Sequence, residues 1–199
     1  YDSESDTTLK YLKGNNVIKN EILLIKNPRK GPNSAITKGI GSSAAKIILV
    51  YMADDFENIK IINRMISLID DGNDLVIPTR FIPGGEMIGA AKIKEAITRV
   101  GSYLLYNFAR IPYKDCTNAF KMFSSNLKDK IKFESTTGFT YALELTIKSY
   151  LLKSKIVEIP SKWIEVKNRK SNFKIYRWLP YYIYWLLYSM YKNCLSWRK

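Results

Sequence analysis

Two adjacent carboxylates, Asp54 and Asp55, follow directly on an apolar run at residues 46–52. In an open parallel sheet, ligands bind beyond the carboxyl ends of the strands. A pair of acids there can hold Mg²⁺ or Mn²⁺, hard cations that take oxygen ligands and bridge a diphosphate. The same spacing also suits a plain helix cap, because Asp is a preferred cap residue. Arg80 ends the next apolar run and faces the same edge, where a guanidinium can pair with phosphate in bidentate fashion. Taken alone, a surface arginine would read the same way. Asp115 stands just before a further strand, in Asp115-Cys116-Thr117-Asn118-Ala119-Phe120-Lys121. It is a candidate base or acceptor-holding group. Glu144 lies among Ala142, Leu143 and Leu145, as either a functional acid or the exposed side of an apolar helix. Lys167, Arg169 and Lys170 form a basic loop suited to a phosphate, or equally an ordinary solvated turn.

The elements that must position these residues alternate. Residues 21–25 read as a short buried strand. Pro32, Asn33 and Ser34 open a helix to about Ala45, with Asn33 or Ser34 as its cap. Residues 46–52 form the clearest strand, apolar on both faces as in a parallel sheet. Ile59, Ile62, Ile66 and Ile69 make a helical stripe that ends near Gly72. Residues 75–78 are the next strand. A Gly/Pro-rich loop from Phe81 to Gly89, with Gly84-Gly85 as either a mobile lid or a turn, leads into a long helix near residues 91–109. Strands at 119–123 and 155–160 flank a helix at 141–152, and a last segment at 176–194 is dense in Trp and Tyr. Alternating strand–helix units predict an α/β fold, an open and mostly parallel sheet covered by helices on both faces.

Composition narrows the chemistry. The 199 residues contain no histidine, which excludes His general bases, Ser-His-Asp triads and His-ligated zinc. Cys116 and Cys194 are too few for a disulfide framework and lack metal spacing, so a reducing compartment is expected. Lys and Arg outnumber Asp and Glu by 32 to 18. That excess favours anionic partners such as phosphates or acidic lipids, unless it is only a Lys-rich soluble surface. No strand is followed by Gly-x-Gly-x-x-Gly, which argues against a dinucleotide-dependent dehydrogenase. No nucleic-acid-binding motif is present, so nucleic acid is not an expected partner.

The motifs in order resemble glycosyltransferase family 2, of GT-A fold, and within it the polyprenyl-phosphate (dolichol-phosphate) mannose synthase-like enzymes. Residues 1–8, Tyr-Asp-Ser-Glu-Ser-Asp-Thr-Thr, resemble the family's Asp-Asp-Gly-Ser-x-Asp-x-Thr segment. Gly31 to Ala35 with Lys38-Gly39-Ile40 resembles its Gly-x-x-x-Ala…Gly helix entry. Met52-Ala53-Asp54 stands at its Asp-x-Asp, and Thr79-Arg80-Phe81 at its Thr/Ser-Arg-Tyr/Phe. Asp115 to Lys121 matches Asp-x-Thr-(Gly/Ser)-x-Phe-Arg. Gly138-Phe139 with Glu144 matches Gly-Phe/Tyr-x-x-x-x-Glu. Residues 163–173 align without a gap to Trp-x-Asp-Arg-x-x-Gly-x-Ser-Lys-Phe. The chain departs from these patterns at Met52, at Lys121 in place of Arg, at Val166 and at Arg169. The family's first strand, first helix and most of its second strand are not represented, so truncation at the N-terminus is expected.

The resemblance implies a metal-dependent, inverting transfer of a sugar from a GDP- or UDP-sugar to a polyprenyl-phosphate or cell-surface glycan. Asp2, Asp6, Gly31, Asp54 and Arg80 would bind the donor, and Asp54 with Asp55 would hold Mg²⁺ or Mn²⁺. Asp115 and Arg80 would be catalytic. Lys121, Glu144, Lys167, Arg169 and Lys170 would meet the acceptor or its phosphate. Residues 1–172 are expected to form the catalytic domain. Residues 173–199 are expected to form an aromatic, basic amphipathic helix, whose apolar segment at residues 178–188 is too short to span a bilayer. Its Trp and Tyr suit headgroup depth, and its basic flanks suit anionic lipid; packing on the core is the competing reading. The expected location is the cytoplasmic face of a membrane, as a peripheral protein. A truncated or degenerate relative that binds membrane or nucleotide without turnover is the alternative, supported by Met52 and Val166.

Overall fold

Strand β1 (Ile47–Val50) pairs with β4 (Lys121–Ser124) in antiparallel register, Val50 opposite Lys121 and Ile48 opposite Phe123. The computed structural model describes residues 1–14, 22–89, 92–165 and 175–196. Strand β2 (Leu75–Thr79) pairs antiparallel with β4 on its other side, and parallel with β5 (Ile156–Pro160). The order is therefore β1-β4-β2-β5. Strands β1, β2 and β5 run in one direction, as the alternating pattern predicts, and β4 is inserted against them. The carboxyl ends of β1, β2 and β5 and the amino end of β4 thus share one edge of the sheet.

Alternation along the strands sorts their side chains to two faces. Ile48, Val50, Leu75, Ile77 and Phe123 point to one side. There they bury against α2 (Pro32–Ser42) and α6 (Tyr141–Leu151) through Ile40, Tyr141, Ala142 and Leu145. Val76, Met122 and Ile159 point to the other side, against Met65 and Ile69 of α3 (Ile62–Asp70). Each wholly buried side chain of this size is worth about 1.5–3 kcal/mol. The apolar stripe on α3 lies at Met65 and Ile69 with Ile62 and Leu68 packed beside them, whereas Ile59 and Ile66 are exposed. Residues 57–61 form a 3-10 turn, so Ile59 does not share the phase of the helix that follows.

Four elements do not show in the sequence pattern. Helix α1 (Thr7–Gly14) is short, and α5 (Ser125–Lys130) is a turn and a half capped by the Ser124 hydroxyl, which accepts from Leu127 N at 3.2 Å. Strands β3 (Glu86–Ile88) and β6 (Lys162–Ile164) are three residues each and pair in parallel. They continue β2 and β5 beyond the sheet edge, joined by Ser161 N donating to Thr79 O and Glu86 N to Ser161 O, both at 3.0 Å. The Gly84-Gly85 segment is the turn that lets β3 return. A side chain at Gly85 would stand 2.4 Å from Thr79 O, so the backbones here touch.

Residues 22–25 are not a strand, and Leu23 is exposed. Tyr1 lies alongside, its nitrogen donating to Ile25 O and its carbonyl accepting from Asn27 N. Helix α2 is not capped by a side chain. Gly31, at φ 117°, is its N-cap and Pro32 its first residue. Asn33 instead reaches across the molecule, donating to Ser135 O at 2.6 Å and accepting from Tyr141 N at 3.1 Å.

Helix α6 is buried along nearly its whole length, because α7 (Ile175–Ser196) covers the side that the sheet leaves open. Trp178 and Trp185 of α7 face inward, against the expectation that its tryptophans sit in a membrane interface. Trp185 joins Leu143, Ile147 and Leu105 in one cluster, with Leu105 contributed by α4 (Lys92–Asn107). Trp178 lies flat on Gly138, which has φ 61°. A Cβ there would come within 2.7 Å of the indole ring. Gly138→Ala is therefore expected to lower stability by about 1–3 kcal/mol through left-handed strain and the displaced ring. Urea denaturation checks this; an unchanged midpoint would show that α7 is not seated as described.

Candidate active site

Asp115 and Arg80 are brought into direct contact at the shared sheet edge. Arg80 follows the last residue of β2, and its Nε and Nη2 donate to the two Asp115 oxygens at 2.6 and 2.8 Å. The Arg80 backbone N adds a third bond, at 3.1 Å. Asp115 is wholly buried and the Arg80 side chain is 11% exposed. The loop carrying Asp115 is held by Asn118, whose side chain donates to Pro78 O at 2.7 Å. Glu158 of β5 completes the frame, its Oε1 accepting from Thr79 Oγ1 and from Lys114 N, each at 2.7 Å. This geometry does not suit Asp115 as a general base. Its oxygens are spent on the guanidinium, and no acceptor hydroxyl reaches a group without exposure. Asp115 instead fixes the direction in which Arg80 points.

Lys121, expected at an acceptor phosphate, is wholly buried under this pair, on the sheet face shared by Val50 and Phe123. Its Nζ has no hydrogen-bond partner among the described residues. Burial lowers its pKa to about 8, against the opposing pull of Cys116, Asp115 and Glu158. Burial likewise pushes the Cys116 thiol up to about 12. A surface phosphate contact is not available to a side chain in this position.

Glu144 is neither an exposed acid nor an open acceptor site. It is wholly buried, with Oε1 accepting from Glu134 N at 2.6 Å and Lys148 Nζ at 2.7 Å, and Oε2 accepting from Ser135 N at 2.8 Å. Ser135 Oγ in turn accepts from Trp185 Nε1 at 2.9 Å. The carboxylate ties the loop before α6 to α6 itself and, through Ser135, to α7.

Of the two candidate metal acids, Asp55 is taken. Its Oδ1 accepts from Asn58 N at 3.1 Å and its Oδ2 from Asn58 Nδ2 at 2.7 Å, the capping use that its spacing also allowed. Asn58 then exchanges two bonds with Lys162 of β6, at 2.7 and 3.1 Å, as a neighbouring strand would. Asp54 lies half-buried just past β1, and Met52 packs against the core with Ile36 and Tyr113. Among the described residues no three His, Cys, Asp or Glu side chains group to hold a metal ion. One carboxylate still fits an ion of the Mg²⁺ class, which takes one or two protein carboxylates and fills its shell with substrate phosphates and water.

Asp2 and Gly31 are also brought together. Asp2 Oδ1 accepts from Asn27 Nδ2 at 2.6 Å and Oδ2 from Gly31 N at 3.3 Å, at the start of α2. Asp6 caps α1, accepting from Thr8 N at 2.9 Å, and that bond holds its carboxyl below the usual range. Lys167, Arg169 and Lys170 lie outside the described residues. Sequence reasoning missed Asn58, Asn118 and Glu158. The Asp55-x-x-Asn58 spacing is the one signal that could have found the first.

The buried Lys121 ammonium has a signature in stability. Its folded pKa lies below its ordinary value of 10.5, so between about 8 and 10.5 the unfolded chain binds more protons. Stability from this group therefore rises with pH through that window and carries its full penalty at neutral pH. Lys121→Met is expected to be more stable than the parent by about 1–3 kcal/mol near neutral pH, with the gain shrinking as pH rises through the window. Urea titrations of both proteins across that range check it. A less stable variant at neutral pH would make the ammonium a partner that Asp115 and Glu158 require.

No protein-family model matches the chain. It is 25% identical over 133 residues to a dolichol-phosphate mannosyltransferase of Pyrococcus furiosus, covering 66% of this chain and 37% of that protein. Its fold is similar to that of glucosyl-3-phosphoglycerate synthase from Mycobacterium tuberculosis. In the structure with phosphoglyceric acid and in that with Mn²⁺, uridine diphosphate and glucosyl-3-phosphoglycerate, the TM-score is 0.62 at 13% identity. Each covers 86% of this chain and 57% of the synthase. The chain thus spans little more than a third of the curated relative it matches and somewhat over half of the similar structures. These likenesses give it the GT-A fold of nucleotide-sugar glycosyltransferases, with sequence similarity to a dolichol-phosphate mannosyltransferase.

Proposed function

We propose that this chain is the larger part of a glycosyltransferase domain that moves a sugar from a nucleoside-diphosphate donor to a lipid-borne phosphate. The observation that carries the reading is the convergence of Asp54 and the Arg80–Asp115 pair on one sheet edge, in a fold whose neighbours were crystallised with uridine diphosphate and Mn²⁺. Asp54 would hold Mg²⁺ or Mn²⁺ together with the donor's diphosphate oxygens. The ion, when bound, neutralises charge that grows on the departing nucleoside diphosphate. Arg80, aimed by Asp115, adds positive charge at the rim of the same edge. Asp2 and Gly31 stand at the start of α2, where backbone N–H groups favour an anion.

The geometry of Asp115 bears on the acceptor. A sugar hydroxyl needs a base to take its proton, and Asp115 is committed to Arg80. A phosphate monoester has its second pKa near about 6 and is already largely ionised at neutral pH. It attacks the anomeric carbon without a strong base, with inversion. This favours polyprenyl phosphate over a glycan hydroxyl, in keeping with the mannosyltransferase likeness. A lipid acceptor places the reaction at a membrane, on the cytoplasmic face where nucleotide sugars are made, and α7 is the element whose aromatic and basic residues suit that surface. Among the described residues no helix is long and apolar enough to cross a membrane.

A non-catalytic relative is the second reading, favoured by Met52, which turns a position of the acidic motif into core packing. Calorimetric titration with uridine and guanosine diphosphates, with and without Mn²⁺, separates the two. Metal-dependent binding weakened about tenfold or more in Asp54→Asn is the expected result, and the tighter nucleotide identifies the donor base. Nucleotide binding indifferent to Mn²⁺ and to Asp54→Asn would favour the non-catalytic relative. Absence of any nucleotide binding by a folded protein that carries the complete domain would sink the transferase reading.

A further inference from the structure

Lys121 is the first residue of β4 and stands opposite Val50, the last residue of β1. Strand β4 lies between β1 and β2. The side chain is therefore placed at the shared edge, between the end of β1, with Asp54 beyond it, and the end of β2, with Arg80 beyond it. It is wholly buried, and its Nζ has no hydrogen-bond partner among the described residues. An ammonium held in that way opposes folding, and an apolar side chain of similar length would remove the cost. What Lys121 brings that an apolar residue does not is charge.

The charged groups that act on Lys121 come from three segments. Asp115 lies in the loop that enters β4, Glu158 in β5 and Arg80 just after β2. Asp115 accepts from Arg80 on both oxygens, and Glu158 accepts from Thr79 Oγ1 and Lys114 N. Cys116, next to Asp115, stays a neutral thiol because burial pushes it up to about 12. From α6, Tyr141 donates its hydroxyl to Ala119 O, and from α7, Tyr182 packs on the cluster that contains Cys116. Burial raises both phenols and that of Tyr113, Tyr182 to about 12, so they stay neutral as well. With Lys121 protonated, two cations face two carboxylates. Without that proton, Arg80 alone faces two carboxylates, and the edge carries a buried negative charge.

We propose that Lys121 is a positioning residue for the donor diphosphate: its ammonium balances Asp115 and Glu158, so that the charge of Arg80 acts outward on the diphosphate and is not cancelled by them. This role rests on the transferase reading above. It makes Lys121 a residue kept for binding at the expense of stability. By linkage, the diphosphate and the Lys121 proton each strengthen the binding of the other. Lys121 holds its proton below about 8 and loses it above, so affinity falls as pH rises through that value.

Calorimetric titration of the complete domain with uridine and guanosine diphosphates and Mg²⁺ tests this. Affinity of the parent should fall about five- to tenfold between about pH 7 and about pH 9, the scale of one unit charge acting across ~10 Å at an effective dielectric of about 20. Lys121→Met should bind about tenfold more weakly at neutral pH and lack the fall, while Lys121→Arg should match the parent at neutral pH and keep its affinity above. The nucleotide's own titration is common to the three proteins and cancels between them. Lys121→Met is expected to be the more stable protein, so its weaker binding would not reflect a folding defect. Independently, nuclear magnetic resonance of carbon-13 lysine, with Lys121 assigned by its loss in Lys121→Met, should show the Lys121 titration moving up by about one pH unit when nucleotide and Mg²⁺ are present. A Lys121→Met protein with the affinity and pH dependence of the parent overturns the proposal, as does a Lys121 titration that ignores bound nucleotide. Where Asp54→Asn abolishes binding and Lys121→Met leaves it unchanged, the Lys121 role fails alone. Where the complete folded domain binds no nucleotide at any pH, the transferase reading fails and takes this role with it.

Discussion

The bidentate pair of Arg80 and Asp115 is the constraint around which the working edge of the sheet is built. It joins the end of β2 to the loop that enters β4, two segments 35 residues apart in the chain. A buried carboxylate is tolerable only when its lone pairs are met, and removal of one partner of such a pair typically costs about 3–5 kcal/mol. The surrounding bonds serve the same end. Asn118 holds the Asp115 loop to Pro78, and Glu158 holds Lys114 to Thr79. Arg80 is thereby held in one direction at the end of β2.

Acids elsewhere in the chain show how the same chemistry is diverted to architecture. Asp55 and Glu144 each accept bonds on both oxygens, and each joins segments that the sheet does not join. Asp55 sets Asn58 beside β6, so the short β3–β6 ribbon gains a third neighbour. Glu144 fixes residues 134 and 135, and Ser135 then anchors Trp185. The three-residue strands and the long C-terminal helix are too weakly determined by local preference to hold these positions alone. Buried, fully satisfied carboxylates supply the missing specificity. Lys121 differs from these acids: it is a buried cation with no hydrogen-bond partner among the described residues, placed near Asp115, Glu158 and Arg80.

Helices α4 and α7 divide their apolar residues between two duties. One side of α7 closes the core over α6 with its two described tryptophans, while the other leaves aliphatic and tyrosine side chains outside. Of the two competing readings of this segment, core packing describes the inward face of α7 with Trp178 and Trp185.

The sequence by itself marked the four strands of the main sheet and most of the helices, though not β3 or β6 and with a strand expected at 21–25 that does not form, because period and order are local properties of a chain. Runs at 46–52, 75–78, 119–123 and 155–160 read directly as strands, and Asp54 and Arg80 follow the first two while Asp115 precedes β4. Only the tertiary structure decided what each charged group does. Asp115 and Arg80 each looked available until they met. Asp55 was equally a ligand or a cap until Asn58 took both its oxygens, and the apolar neighbours of Lys121 and Glu144 did not say whether the charged group itself was buried. The three-residue strands β3 and β6 were silent for the same reason, since nothing in three residues fixes a partner. Burial and pairing depend on which distant segments arrive at the same place, and that is a property of the packed molecule, not of any window along the chain.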